Sequence, residues 1–195
     1  MYFVRLAICC FLALILTGCS MVKHFIEHAP FDLVLEDVDF EVRHYETLLL
    51  VTTSMAREQG DESSFRILFA YISGKNSAQQ EISMTAPVFM DASKSEKMSF
   101  VLPSSFDLDS APEALDESVS VESLKDLRVA VVRFNGSLSK ANIDENTERL
   151  KRWLEERDYE ASGDAFIAGY DPPSSLPWFR RNEVLIPIRW QVQPH

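Results

Sequence analysis

Apolar residues along this chain switch between two spacings, and the switches mark out its elements. From Phe40 to Thr53 the run FEVRHYETLLLVTT is rich in Val, Leu, Tyr and Thr, the composition of a long strand. Side chains alternate across a strand, so Phe40, Val42 and His44 share one face and Glu41, Arg43 and Tyr45 the other. His44 thus stands on the apolar face. Phe65, Leu68, Phe69 and Ile72 then recur at i, i+3, i+4 and i+7, which predicts one apolar helical face, all four in the core. DESS at 61–64 supplies N-caps and Gly74 stands where a C-terminal cap is expected, with Arg66 and Tyr71 at the margin of the stripe. Two shorter strand-like runs follow, Glu81–Met90 and Met98–Leu102.

Residues 103–126 break the pattern with Pro103, Pro112 and seven acidic residues against one lysine, and read as an exposed acidic linker. The order then repeats. Leu127–Phe134 (LRVAVVRF) is a strand and Asn135–Gly136 a turn. A helix from about Ala141 to Arg157 carries Ile143, Leu150 and Leu154 inward, and places Glu145–Arg149 and Glu148–Arg152 as i,i+4 pairs outward. Ala165–Tyr170 and Glu183–Trp190 are the last strands, with Pro187 predicting an edge position or a bulge. The weaker alternation of FDLVLE, 31–36, pairs with the first long strand through the turn at Asp37–Asp39. Two strand–helix–strand–strand repeats, about 40–102 and 127–190, are each too small to bury their own helix, so they are expected to share one core in an α+β fold with a cleft at the pseudo-twofold junction.

The N-terminus changes the picture of where the domain resides. Arg5 precedes the eleven-residue apolar run LAICCFLALIL, too short to span a bilayer but suited to a signal peptide. The ending L-T-G-C resembles a bacterial lipobox, which implies cleavage after residue 18 and acylation of Cys19. By resemblance to Gram-negative lipoproteins, Ser20 after it does not signal inner-membrane retention, which implies the outer membrane. Residues 19–30 then form a lipidated tether and 31–195 the folded domain, held at the periplasmic face of the envelope by more than one acyl chain. The only other cysteines are Cys9 and Cys10 in the signal, so the mature chain of 177 residues has no internal disulfide and depends on its core. Losing Arg5 takes the net charge from −11 to −12, which disfavours phosphate backbones and excludes nucleic acid as an expected partner.

Six ordered blocks carry a resemblance: FEVRHYE (40–46), YISGKN (71–76), EISMTAPV (81–88), MSFVLPS (98–104), AGYDPP (168–173) and RNEVLIPI (181–188). Together, over roughly residues 31–190, they resemble the SOUL haem-binding protein family. The resemblance implies a distorted antiparallel barrel or sheet of two strand–helix–strand–strand repeats with two packed helices. It also implies non-covalent, reversible binding of haem or a related tetrapyrrole. Some members are proposed to use a histidine in the block that here reads EVRHY, which would make His44 an axial ligand to haem iron; others bind through an apolar groove without one.

The loop DPPSSLPWFRRN, 171–182, is a second candidate: Trp178 and Phe179 can cover a ring face while Arg180 and Arg181 present donors suited to propionates. In the family this segment borders the ligand groove. Met84, sharing a face with Ile82 and Ala86, can pack on a ring or simply in the core. HFIEH at 24–28 fits H-x-x-E-H, but the chain offers no evident third ligand for a catalytic zinc. No covalent-haem motif, nucleophile elbow, P-loop, dinucleotide fingerprint or calcium loop is present. Two alternatives stay open at this level. One is a small-ligand hydrolase of the related regulator-type repeats, with Glu183 and Tyr170 as the first residues to test. The other is an envelope interaction protein whose cleft takes a peptide or lipid.

Overall fold

A computed structural model of the chain describes residues 26–54, 60–92 and 97–189. The signal run, Cys19, His24 and Trp190 lie outside them. The elements run β1 Glu27–His28, β2 Asp32–Asp37, β3 Phe40–Ser54, α1 Gly60–Ile72, β4 Thr85–Ala86, β5 Val88–Asp91, β6 Lys97–Val101, β7 Val119–Asn135, α2 Lys140–Glu156, β8 Phe166–Gly169 and β9 Arg181–Pro187, with a 3-10 turn at Pro177–Phe179 before the last strand. No helix among the described residues is long and apolar enough to cross a membrane.

Six strands close into an antiparallel barrel in the order β3–β6–β5–β8–β9–β7, with β7 returning to β3. The closing ladder is long, from Phe40 opposite Val132 to Thr53 opposite Val119. β2 pairs with the first half of β3 outside the ring, and β1 pairs in parallel with β4. Each half thus supplies one long strand, one helix and two short strands, the expected α+β architecture.

Both faces of the long strands are covered, which is why LRVAVVRF reads as a nearly continuous apolar run. Tyr45, Leu48, Leu50, Val129, Val131 and Leu185 fill the barrel. Outside, Leu68, Tyr71 and Ile72 of α1 pack on Leu49, Val51 and Phe100. Leu150, Trp153 and Leu154 of α2 pack on Val42, Val132 and Val184. Each such fully buried side chain contributes roughly 1.5–3 kcal/mol of transfer free energy. α2 starts on Ser139, whose Oγ accepts from the Asn142 N–H at 3.3 Å. α1 ends on Gly74 at φ +95°, with the Lys75 N–H donating back to the Ala70 carbonyl at 3.0 Å.

Four expectations change. The linker is shorter than 103–126, because β7 already begins at Val119; Val119 and Val121 pack toward α1, a strand signal masked by the acidic residues between. β9 lies inside the barrel between β7 and β8, and Pro187 is accommodated as its last residue rather than at an edge or a bulge. On α1 the third core partner, beside Leu68 and Ile72, is Tyr71, whose hydroxyl donates to the Pro112 carbonyl at 2.6 Å. Phe65 and Phe69 are instead 38% and 49% exposed, stacked on each other. On α2, Arg149 reaches across to Asp39 at 3.1 Å and Glu148 pairs with Lys151.

Candidate functional site

The alternation of β3 aims Glu41, Arg43 and Tyr45 into the barrel. An unpaired charge there would be prohibitive, so Glu41 and Arg43 are both matched across the strands. Arg43 is fully buried and donates from Nη1 and Nη2 to the two oxygens of Glu183 at 2.7 and 2.9 Å, and from Nε to Glu41 at 2.6 Å. Glu183, also fully buried, accepts in addition from Arg181 at 2.7 Å and from the Tyr170 hydroxyl at 2.9 Å. Arg133 completes the set through Glu41 at 2.8 Å. Above the ion pairs, the Phe31 ring lies 4.3 Å from the Arg43 guanidinium carbon and the Tyr170 ring 4.1 Å from that of Arg181.

Electrostatics fix the protonation states. Burial would raise the Glu183 carboxyl, but its bonds to Arg43 and the charge of Arg181 hold it below the ordinary carboxylate range. Burial and the neighbouring Glu183 charge push the Tyr170 phenol up, so it stays protonated and donates. With both oxygens of Glu183 held by arginines, the network is a poor general base and a strong tie between β3, β7 and β9. The Tyr45 hydroxyl, buried beside it, finds no hydrogen-bond partner among the described residues.

The loop 171–180 leaves the barrel directly after Tyr170. Arg180 folds back to donate to the Ser175 carbonyl at 2.8 Å and to the Pro173 carbonyl, and no carboxylate among the described residues pairs with it. The Gly136 N–H donates to the Pro177 carbonyl at 3.0 Å, and Asn182 donates to the Gly136 carbonyl at 2.9 Å, which fixes the loop against the β7–α2 turn. The result presents Leu176, Trp178 and Phe179 outward at 52%, 62% and 69% exposure, with the two rings 6.3 Å apart.

The remaining sequence candidates lie elsewhere. His44 is on the outer wall, half-buried, with Nε2 2.8 Å from Asp126 Oδ1 and Nδ1 3.7 Å from Asp32 Oδ2. It pairs with Arg128 on β7, whereas Arg181 at the loop's base pairs with Asn135. Seven residues of strand, about 23 Å, separate the two positions. Met84 is partly buried against the α1 cluster. Arg181 joins the buried network rather than standing free beside Arg180. Glu27–His28 of the H-x-x-E-H run is extended, with Glu27 accepting from the Ser104 N–H at 2.7 Å and His28 edge-on to Tyr170 at 5.6 Å. No metal-binding cluster occurs among the described residues.

Sequence reading missed Arg43, Glu41, Arg133 and Tyr45. The signal was present as single charges inside otherwise apolar strand runs, EVRHY, VVRF and NEVLIPI. Arg66 and Tyr71, at the margin of the α1 stripe, do border a groove of about 840 Å³ together with Ile67, Lys75 and Leu115, whereas a second groove of about 730 Å³ along α2 was not expected from the sequence.

The model of the SOUL heme-binding protein family matches residues 26–187, which contain the whole barrel, the network and the loop. The chain belongs to the SOUL family. It is 31% identical over 161 residues to mouse heme-binding protein 1, covering 76% of this chain and 84% of that protein. It is 30% identical over 182 residues to human heme-binding protein 2, covering 85% and 83%. The fold is shared more widely than the sequence. A hydrolase from Listeria innocua superposes with a TM-score of 0.56 at 8% identity, covering 80% of this chain and 94% of that one. The EcmrR C-terminal domain does so with a TM-score of 0.51 at 12% identity, covering 77% and 96%.

Proposed function

We propose that this SOUL-family member is a non-enzymatic, lipid-anchored envelope protein that holds haem or a related tetrapyrrole non-covalently and reversibly. The observation that carries the reading is the exposed Trp178–Phe179 pair beside an arginine that has no carboxylate partner among the described residues, on a loop stiffened by Pro172, Pro173 and Pro177. A flat apolar ring with acidic side arms needs an aromatic surface for its face and a guanidinium for a carboxylate, and this loop offers both in one place. Leu176, Trp178 and Phe179 cover the ring and Arg180 takes a propionate, while Arg181 braces the base of the loop through Glu183. His44, about seven residues along the strand and bonded to Asp126, is outside that arrangement. The heme-binding names of the mouse and human relatives favour the same ligand. The lipobox supports an anchor at Cys19 and a periplasmic-side location.

A second seat has its own support: the groove along α1, with Arg66 and Lys75 on its border and the stacked Phe65 and Phe69 on the same helix. Haemin titration of the chain beginning at Ser20, which retains every described element, separates the two. The Trp178→Ala/Phe179→Ala pair is expected to weaken binding roughly 30-fold or more, as truncation of aromatic anchors does. Ala70→Trp, which fills the α1 groove, is expected to leave it within about twofold. The reverse pattern would move the ligand to α1.

A further inference from the structure

We infer that the Leu176–Phe179 tip docks into the bilayer that carries the anchor, so that the aromatic site opens onto lipid; this rests on the lipid-anchor reading above. Three observations converge on a membrane as the occupant. The tip is a compact apolar projection, with Leu176, Trp178 and Phe179 more than half exposed, and tryptophan beside leucine and phenylalanine is the composition that settles at a lipid–water interface. The exposed state is built in, because Arg180 clamps the loop through two of its own carbonyls and the Pro177 carbonyl is held by Gly136.

The third observation is the exit point of the tether. His28 rests edge-on against Tyr170 at 5.6 Å, and Tyr170 is followed at once by Asp171, the first residue of the loop. Asp171 in turn accepts from the Arg181 N–H at 2.7 Å, which closes the loop at its base. The chain therefore leaves toward Cys19 from the end of the barrel that bears the tip. Seven residues link Cys19 to Ile26, a reach of at most about 25 Å, so an anchor at Cys19 keeps this end against the lipid. Tethering raises the local concentration of bilayer enough for a weak apolar contact to persist. Arg180 at the base suits a phosphate headgroup, while the net charge of −12 left after signal cleavage disfavours contact of the rest of the surface with anionic lipid. A membrane-partitioned apolar ring would then enter and leave at the tip without crossing water.

The test imposes the tether instead of relying on acylation. The chain beginning at Ser20, with an N-terminal hexahistidine, is held on phosphatidylcholine vesicles containing a nickel-chelating lipid, and tryptophan emission is compared with and without bromine-labelled acyl chains. The chain has three tryptophans, of which Trp153 is 4% exposed. Bromolipid quenching that disappears in Trp178→Phe is the expected result; Trp178 is on the surface, so that variant keeps its fold and its unfolding temperature. No quenching, or equal quenching in Trp178→Phe, would overturn the docking. The mass of the mature native chain reads acylation of Cys19 separately, so loss of the anchor reading and loss of the docking are distinct outcomes.

Discussion

Arg43 and Glu183 are both fully buried in the barrel, and neither can lose the other without leaving a stranded charge. Glu183→Gln is therefore expected to destabilise the fold by about 3–5 kcal/mol, read as a fall in denaturant midpoint. Replacing the pair together, Arg43→Met with Glu183→Leu, is expected to recover only part of that loss, because the stranded Arg43 charge is removed but Arg181, Tyr170 and Glu41 each lose a partner. The pH dependence has a definite sign. Glu183 is held below its ordinary range, so its contribution is complete above about pH 4.3 and is lost as pH falls through the folded-state value. An acid limb of stability that is as steep in Glu183→Gln as in the native protein would contradict this. At this scale the sequence was half legible. Alternation separated the Glu41–Arg43–Tyr45 face from the His44 face correctly, but which face lines a barrel depends on ring closure, which no single strand encodes. Arg43 reads as a surface charge until Glu183, 140 residues on, is known to be opposite it.

The helices were the most legible elements, because their caps are local chemistry. Gly74 sits at φ +95°, and a Cβ there would meet nothing closer than the Gln79 carbonyl oxygen at 3.6 Å. The cost of Gly74→Ala is thus conformational, about 1–2 kcal/mol, and measurable as a lowered unfolding temperature. A cost near zero would mean that the cap is not held in the left-handed region. β7 was less legible. Its first eight residues carry Glu122 and Asp126 on a partly exposed, two-stranded stretch beyond the barrel wall, and composition there resembles a linker. Phe65 and Phe69 were misplaced for a related reason: periodicity finds an apolar stripe but not which edge of it the facing sheet covers. On the loop 171–180, prolines and aromatics were readable, whereas the clamp by Arg180 on its own carbonyls was not, since side chain to backbone bonds leave no trace in spacing.

The whole molecule is a closed six-stranded barrel whose two halves keep the same order of elements but differ in surface chemistry. The groove along α1 is bordered by Arg66 and Lys75 against Asp116. The corresponding one along α2 has Asp91, Asp144, Glu148 and Asp164 against Lys140 and Lys151, a border that repels an acidic ring. The aromatic loop lies against the β7–α2 turn and the α1 groove on the β3–β6 face, so the two proposed seats are separate, and the family match over residues 26–187 spans both. We propose that this SOUL-family chain holds a tetrapyrrole on apolar surface without His44 as an axial ligand. The most direct measurement is a haemin titration of the chain beginning at Ser20, followed in the Soret region beside its His44→Ala variant. Saturation near one equivalent is expected, with His44→Ala matching the native chain within about twofold. Absence of a saturable change, or a low-spin band that vanishes in His44→Ala, would contradict it.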